Sequence, residues 1–286
     1  MQDNIDLSRY VNYCRLPHMW CAGCGHGMIL KGFAQALGEL GIPPEQVALV
    51  TGIGCSGRTG EYVNTHRFQG THGRALPTAT GLALAQPELN VIAIMGDGDC
   101  GAIGGNHLLH AARRNVNITA IVANNLNYGM TGGQFSASTP VGKITNTSRK
   151  GKVEETFDLC KIAQVAGASF VARSTAFHFS LMVKQLKTAI SCQGFSLVEV
   201  LVPCTTYYGR YNKLGDSVDM LNWLKEHTIS LEKYDQLLPE ERQEKFWIGI
   251  LENRRQEDFL TRYQRVEGIN LQGLERDDQD GGEAID

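Results

Sequence analysis

The chain has 286 residues and a formal net charge of −3, from 27 basic and 30 acidic side chains. That length holds one large α/β domain with an extension, and the lack of a basic patch argues against nucleic acid as a partner. No apolar run approaches the roughly eighteen residues of a membrane span, so no membrane association is expected. The polar start Met1-Gln2-Asp3-Asn4-Ile5-Asp6 is unlike a signal peptide. A cytoplasmic location is therefore expected, and there eight cysteines point to metal or redox chemistry more than to disulfides.

Residues 1–20 read as an irregular leader, with Pro17 at a turn and Trp20 as its anchor. Trp20-Cys21-Ala22-Gly23-Cys24-Gly25-His26-Gly27 follows, leading into a helix over Gly27 to Leu40 with apolar residues at helical spacing and Gly41 as its stop. Pro43-Pro44 is a linker. Val47 to Val50 form a strand that ends in Thr51-Gly52-Ile53-Gly54-Cys55-Ser56-Gly57-Arg58. Phe68 to Arg74 precede a helix of small residues, Ala75 to Ala85, in which close packing is expected.

The β-branched run Val91 to Ile94 predicts a buried strand ending at Met95-Gly96-Asp97-Gly98-Asp99. A helix over Asn106 to Arg114 stops at Asn115, and a second apolar run, Ile118 to Ala123, ends in Asn124-Asn125-Leu126-Asn127-Tyr128-Gly129. Thr131 to Lys152 is a long polar loop, and loops of that length often carry function. A helix (Phe157 to Val165), a strand (Ser169 to Ala172), an amphipathic helix (Phe177 to Ile190) and an apolar strand (Phe195 to Val202) complete the pattern, ending at Pro203-Cys204-Thr205-Thr206. Residues 213–265 are charged with scattered aromatics and without clear strands, which predicts a helical extension; the acidic tail, Asp277 to Asp286, is expected to be mobile. The fold class expected is α/β, a mostly parallel sheet with helices on both faces over residues 1–215, followed by a C-terminal helical extension over 216–286.

Strand–helix–strand units put the loops after parallel strands on one sheet edge, where ligands of open α/β sheets bind. Asp97 is a hard oxygen ligand and Asn125 offers a second oxygen; with diphosphate oxygens and a backbone carbonyl they suit octahedral Mg²⁺. Gly96 and Gly98 let backbone approach a phosphate. Either pair alone is an ordinary turn; both on one edge are not. Gly96-Asp97-Gly98 followed by Asn124-Asn125 resembles the thiamine diphosphate motif. The resemblance implies that Asp97 and Asn125 bind Mg²⁺ through side chains, that Asn127 adds a carbonyl, and that Gly98, Asp99, Gly129 and Met130 lie along the diphosphate.

A Cys-x-x-Cys alone is a redox disulfide, a zinc half-site, an iron–sulfur half-site or two core cysteines. Cys21 and Cys24 lie in a loop entering a helix, whose N-terminus favours thiolate. Cys55 and Cys204 lie in loops after strands. Four such thiolates can bind zinc or a [4Fe–4S] cluster. Cys160 and Cys192 fall in helical stretches and read as packing, Cys100 follows the phosphate loop too closely for a separate cluster, and Cys14 is left open.

Trp-Cys-Ala-Gly-Cys-Gly-His-Gly at 20–27, Gly-Ile-Gly-Cys-Ser-Gly-Arg at 52–58, Thr-His-Gly-Arg-Ala at 71–75 and the diphosphate motif together resemble the β subunits of 2-oxoacid:ferredoxin oxidoreductases, over about residues 12–215. The resemblance implies thiamine diphosphate, Mg²⁺ and a [4Fe–4S] cluster held by Cys21, Cys24, Cys55 and Cys204. It implies that Ile53, Gly54, Cys55 and Ser56 line the cofactor with His72 close by. Residues 204–212 are similar to the 2-oxoglutarate-type subunit, with Thr205 where that subunit usually has proline. Expected from this are coenzyme A-dependent oxidative decarboxylation of 2-oxoglutarate to succinyl-CoA, electrons passing through the cluster to ferredoxin, and a separate α subunit carrying the pyrimidine-binding half. Arg58 and Arg67 are candidates to meet a substrate carboxylate. The alternatives are pyruvate or another 2-oxoacid, a non-catalytic electron-transfer subunit, and a non-redox thiamine carboligase.

Overall fold

The structure is a computed structural model, and it describes residues 5–243 and 245–268. Its elements are α1 (His26–Leu40), β1 (Val47–Thr51), β2 (His66–Gln69), α2 (Ala75–Ala85), β3 (Asn90–Gly96), α3 (Gly105–Arg114), β4 (Ile118–Asn124), α4 (Leu159–Ala166), β5 (Phe170–Thr175), α5 (Phe179–Ile190), β6 (Phe195–Leu201), α6 (Ser217–Glu226), β7 (Thr228–Ser230), α7 (Leu231–Asp235), β8 (Phe246–Asn253) and α8 (Phe259–Glu267). The strands form a single sheet in the order β2-β1-β3-β4-β6-β5-β8-β7, parallel throughout except for β5 against β8.

The apolar runs read from sequence are buried end to end in β1, β4, β5 and β6. Alternate side chains serve two cores, as a strand's two-residue period requires. Leu49, Ile92, Ile94, Ile121, Val198 and Val200 meet α1 and α5 on one face. Ala48, Val50, Ala93, Val122 and Leu197 meet α2, α3 and α4 on the other. Helix stops also follow the residues read as stops: α1 ends at Gly41 and α3 at Asn115, both left-handed. Two starts move inward. Asp158 caps α4 by accepting from the Lys161 amide, and Thr175 Oγ1 accepts from the amides of Phe177 and His178 ahead of α5.

The expectation of no strands in 213–265 is corrected. β8 adds to the main sheet antiparallel to β5, and β7 follows it in parallel. The sheet therefore continues past residue 215, and the last part of the chain is part strand, part helix. Trp247, 1% exposed, is what fastens β8 to the core. β2 was also unseen, since His66-Arg67-Phe68-Gln69 is an exposed edge strand with no apolar period. Among the described residues no helix is long and apolar enough to cross a membrane. The tail at 277–286 lies outside the described residues.

Candidate active site

Strands β1, β3, β4 and β6 are parallel neighbours, and their ends are in register: Thr51 beside Ile94, Gly96 beside Ala123, and Asn124 beside Leu201. The loops that follow must therefore share one edge. They bring Cys55, Asp97, Asn125 and Cys204 to the same end of the sheet.

Asp97 is 1% exposed. Its Oδ2 accepts from the hydroxyls of Ser136 and Ser138. Its Oδ1 stands 3.1 Å from the Asn125 carboxamide oxygen, which stands 2.7 Å from the Asn127 carbonyl oxygen. With the Asn125 amide in this orientation, its oxygen meets two other acceptors and no donor. Turning the Asn125 amide would supply a donor; a cation satisfies all three without turning it, and they are hard ligands of the kind Mg²⁺ takes. Burial pushes the Asp97 carboxyl up to about 6, against the pull of the two serine hydroxyls. A nearby cation opposes that rise.

The cleft beside these oxygens is walled by Ile53, Gly54, Cys55 and Ser56 from the β1 loop, by Gly98 and Asp99 from the β3 loop, and by Gly129 and Met130 from the β4 loop. His72, Tyr128 and His26 also line it. Ile53 and Met130 are apolar yet 41% and 43% exposed, as befits walls that await a ligand or partner. A Cβ on Gly98 would lie 2.2 Å from the Tyr128 ring. Gly98→Ala is therefore expected to lower stability by about 1–3 kcal/mol through overpacking, read as a lower urea midpoint, with Gly98→Ala/Tyr128→Leu recovering most of it.

Asp99 is among the residues lining the cleft, and its carboxylate is also engaged by neighbouring loops. Its side chain turns to the neighbouring loops: Oδ1 accepts from the Gly73 amide at 2.5 Å and lies 2.6 Å from His72 Nδ1. A Cβ on Gly52 would fall inside this carboxylate, 1.6 Å from Oδ2. Burial raises the Asp99 carboxyl's affinity for protons, opposed by the Gly73 amide and by His72. The contact holds the His72 ring at the cleft wall, edge-on to Tyr128 at 6.0 Å. Arg58 is not brought to the cleft. It pairs with Glu61 at 2.5 Å on the turn after Cys55, and Arg67 donates to the Gly60 carbonyl at 3.0 Å.

The loops carrying Cys21, Cys24, Cys55 and Cys204 are stitched together. Trp20 Nε1 donates to the Cys55 carbonyl at 2.7 Å, Thr205 Oγ1 to the Ala22 carbonyl at 3.0 Å, and the Gly25 amide to the Pro203 carbonyl at 3.4 Å. Thr205 thus ties the Cys204 loop to the Cys21–Cys24 loop. Burial pushes the Cys24 thiol up to about 12 and Cys55 up to about 11, and the neighbouring thiols push the same way. At Cys24 burial outweighs the pull of the helix N-terminus toward thiolate. Among the described residues no three of these sulfurs lie mutually within 4.8 Å, whereas a zinc tetrahedron with bonds of about 2.3 Å requires sulfurs about 3.8 Å apart. Cys14 is exposed, Cys100 lies in the core, and the buried Cys160 thiol donates to Glu199 at 3.3 Å.

A buried polar network behind the site was not foreseen. Asn124 Nδ2 donates to Glu199 Oε1 at 2.6 Å, Arg173 Nε to Glu199 Oε2 at 2.5 Å, and Arg173 Nη2 to Asp158 Oδ1 at 2.7 Å. Trp247 Nε1 donates to Asp158 at 3.2 Å, and its ring lies 4.1 Å from the Arg173 guanidinium carbon. Glu199 inside the apolar run of β6 was the available signal, because a lone charge in a buried strand requires a partner.

Residues 41–200 match the family model described as thiamine pyrophosphate enzyme, C-terminal TPP binding domain. The chain is 42% identical over 258 residues to the 2-oxoglutarate synthase subunit KorB of Methanocaldococcus jannaschii, covering 90% of this chain and 96% of that one. It is 44% identical over 249 residues to the protein of the same name from Methanothermobacter marburgensis, covering 86% and 87%. A solved structure, 2-oxoglutarate:ferredoxin oxidoreductase from Magnetococcus marinus with 2-oxoglutarate, coenzyme A and succinyl-CoA bound, is similar with a TM-score of 0.82 at 28% identity, covering 94% of this chain and 93% of that chain.

Proposed function

The chain belongs to the β subunits of the 2-oxoacid:ferredoxin oxidoreductases, a branch of the thiamine pyrophosphate enzymes, and from that membership we propose that it holds the cofactor and first electron acceptor of a 2-oxoglutarate:ferredoxin oxidoreductase. The reaction is the coenzyme A-dependent oxidative decarboxylation of 2-oxoglutarate to succinyl-CoA and CO₂, reversible as reductive carboxylation. The observation that carries this reading is the pair of features on one sheet edge: three converging oxygens beside a glycine-lined cleft, and four thiols on loops that share Cys55 with that cleft.

Asp97 Oδ1, the Asn125 carboxamide and the Asn127 carbonyl would hold Mg²⁺, which in turn would hold the diphosphate of thiamine diphosphate against Gly98, Gly129 and Met130. Bound there, the cofactor supplies the carbanion chemistry that releases CO₂ from a 2-oxo acid. The chain's own residues orient and enclose it. Ile53 to Ser56 form one wall, with Ile53 and Met130 as apolar surfaces that exclude water. His72, steadied by Asp99, is the group at the wall able to exchange a proton with substrate. Arg58 would have to leave Glu61 to reach a carboxylate. Cys21, Cys24, Cys55 and Cys204 would hold a [4Fe–4S] cluster, which supplies one-electron transfer toward ferredoxin.

The 2-oxoglutarate reading is supported by the related proteins named for that substrate. Other relatives bear the broader name 2-oxoacid:ferredoxin oxidoreductase. The test is anaerobic co-purification with the α partner, followed by coenzyme A-dependent ferredoxin reduction with 2-oxoglutarate and with pyruvate. Preference for 2-oxoglutarate of at least about tenfold in kcat/KM is expected, since a site built for a second carboxylate discriminates strongly. Preference for pyruvate would keep the mechanism and overturn the substrate. The chain without its α partner is expected to be inactive, and turnover by the single chain would contradict that.

A further inference from the structure

The two oxygens of the Asp97 carboxylate have different surroundings. Oδ1 faces the Asn125 carboxamide, which in turn meets the Asn127 carbonyl. Oδ2 is occupied by two hydroxyl donors, Ser136 and Ser138. Both serines are buried, 1% and 3% exposed, and belong to the long loop after β4. That loop is pinned beneath the site. The Ser136 amide donates to Thr139 Oγ1 at 2.8 Å, Thr139 Oγ1 donates to the Leu126 carbonyl at 2.6 Å, and the buried Lys152 ammonium donates to the Thr139 carbonyl at 2.9 Å. Asn124 Oδ1, 3.0 Å from the Ser138 hydroxyl, already accepts from the Leu126 amide at 3.0 Å. Ser138 lies closer to Asp97 Oδ2, at 2.5 Å, and the carboxylate is the stronger acceptor of its proton.

We propose that Ser136 and Ser138 are positioning residues that keep Asp97 a one-oxygen ligand and so bias its cation site toward Mg²⁺ over Ca²⁺. The proposal rests on the cation reading of Asp97 given above. Ca²⁺ takes six to eight oxygens at roughly 2.3–2.6 Å and readily accepts both oxygens of one carboxylate. Mg²⁺ demands a near-octahedral shell at about 2.0–2.1 Å and gains little from a second oxygen of the same group. Swinging Oδ2 onto a cation here breaks two buried, charge-assisted hydrogen bonds. Ca²⁺ meets that penalty in reaching its preferred shell, and Mg²⁺ does not. A pair of serines that merely stabilised a buried carboxylate would treat the two ions alike.

The experiment uses the αβ complex, stripped of divalent ions and held at saturating thiamine diphosphate, titrated calorimetrically with MgCl₂ and separately with CaCl₂. In Ser136→Ala/Ser138→Ala the ratio of Ca²⁺ to Mg²⁺ affinity is expected to rise by about tenfold over the wild type, as bidentate coordination becomes accessible. Ser138→Thr keeps the hydroxyl and is expected to stay near the wild-type ratio. If the double variant does not fold, Ser138→Ala alone is read, with an expected rise of about threefold from losing one of the two donors. Equal loss of both affinities, or an unchanged ratio, overturns the proposal. If the wild type binds Mg²⁺ and Asp97→Ala does not, the cation reading survives that failure. If the wild type binds neither ion, the cation reading and the proposal fall together.

Discussion

Asp97→Ala in the αβ complex is expected to cut 2-oxoglutarate turnover by at least ~1000-fold, about 4 kcal/mol of barrier, while iron content stays at the wild-type level. Asp97 is the one anionic member of the oxygen trio; the other two are a carboxamide and a backbone carbonyl. Without it the diphosphate and its cation lose their charge complement in a site that burial has already cut off from bulk water. The substitution also strips the Ser136 and Ser138 hydroxyls of their acceptor, so some stability is lost as well. Turnover and retained thiamine diphosphate after desalting separate the two effects. Cofactor retained with activity within tenfold of wild type would count against Asp97 as the cation ligand. A pure electron-transfer subunit would be indifferent to the substitution.

The largest effect on stability is expected at Arg173. It lies 7% exposed between Glu199 and Asp158, with Glu199 only 1% exposed. Replacing one partner of a buried ion pair leaves the others uncompensated and costs about 3–5 kcal/mol; Arg173→Met is expected to fall in that range by urea unfolding at pH 7.5. The pH dependence has a definite sign. In the wild type, burial tends to raise the Asp158 carboxyl, but Arg173, the Lys161 amide and Trp247 together hold it below its usual value. That contribution is present above the ordinary carboxylate pKa of about 3.9 and is lost as pH falls through the lower folded value. In the variant Asp158 loses the Arg173 charge and keeps only the Lys161 amide and Trp247 against burial, so its carboxyl takes up a proton at higher pH than in the wild type. The penalty is therefore smaller at pH 5 than at pH 7.5. A penalty that is constant across that interval would mean that the charges are not the cause.

The parts of this molecule legible in sequence are those where one physical demand acts alone. Runs such as Ile118 to Ala123 are buried on both faces, so they must be apolar throughout, and the loops that follow them share an edge because the strands are parallel. The clustering of Gly96, Asp97, Gly98, Asn124 and Asn125 at such an edge was visible for that reason. Where several demands compete, sequence is a poorer guide. Phe246–Asn253 sits among charged residues, and its role as an antiparallel neighbour of β5 depends on Trp247 finding a pocket built by Arg173 and Asp158. His66–Gln69 has no apolar pattern because it is an edge. Ser136 and Ser138 come to Asp97 from about forty positions away, and nothing in a polar loop marks which hydroxyls turn inward. Asp99 and Arg58 have partners in the fold that sequence does not show: Gly73 and His72 for the first, Glu61 for the second. At Cys24, too, burial outweighs the helix end that sequence shows.

Substrate chemistry at the Asp97 cleft is proposed to feed electrons directly to a cluster on Cys21, Cys24, Cys55 and Cys204. The most direct test is low-temperature electron paramagnetic resonance of the anaerobic αβ complex, frozen after 2-oxoglutarate and coenzyme A are added without ferredoxin. The signal of a reduced [4Fe–4S] cluster is expected, absent in Asp97→Ala and absent, with the iron, in Cys55→Ala. A complex that binds thiamine diphosphate and iron, yet leaves its cluster oxidised when substrate is supplied, would contradict it.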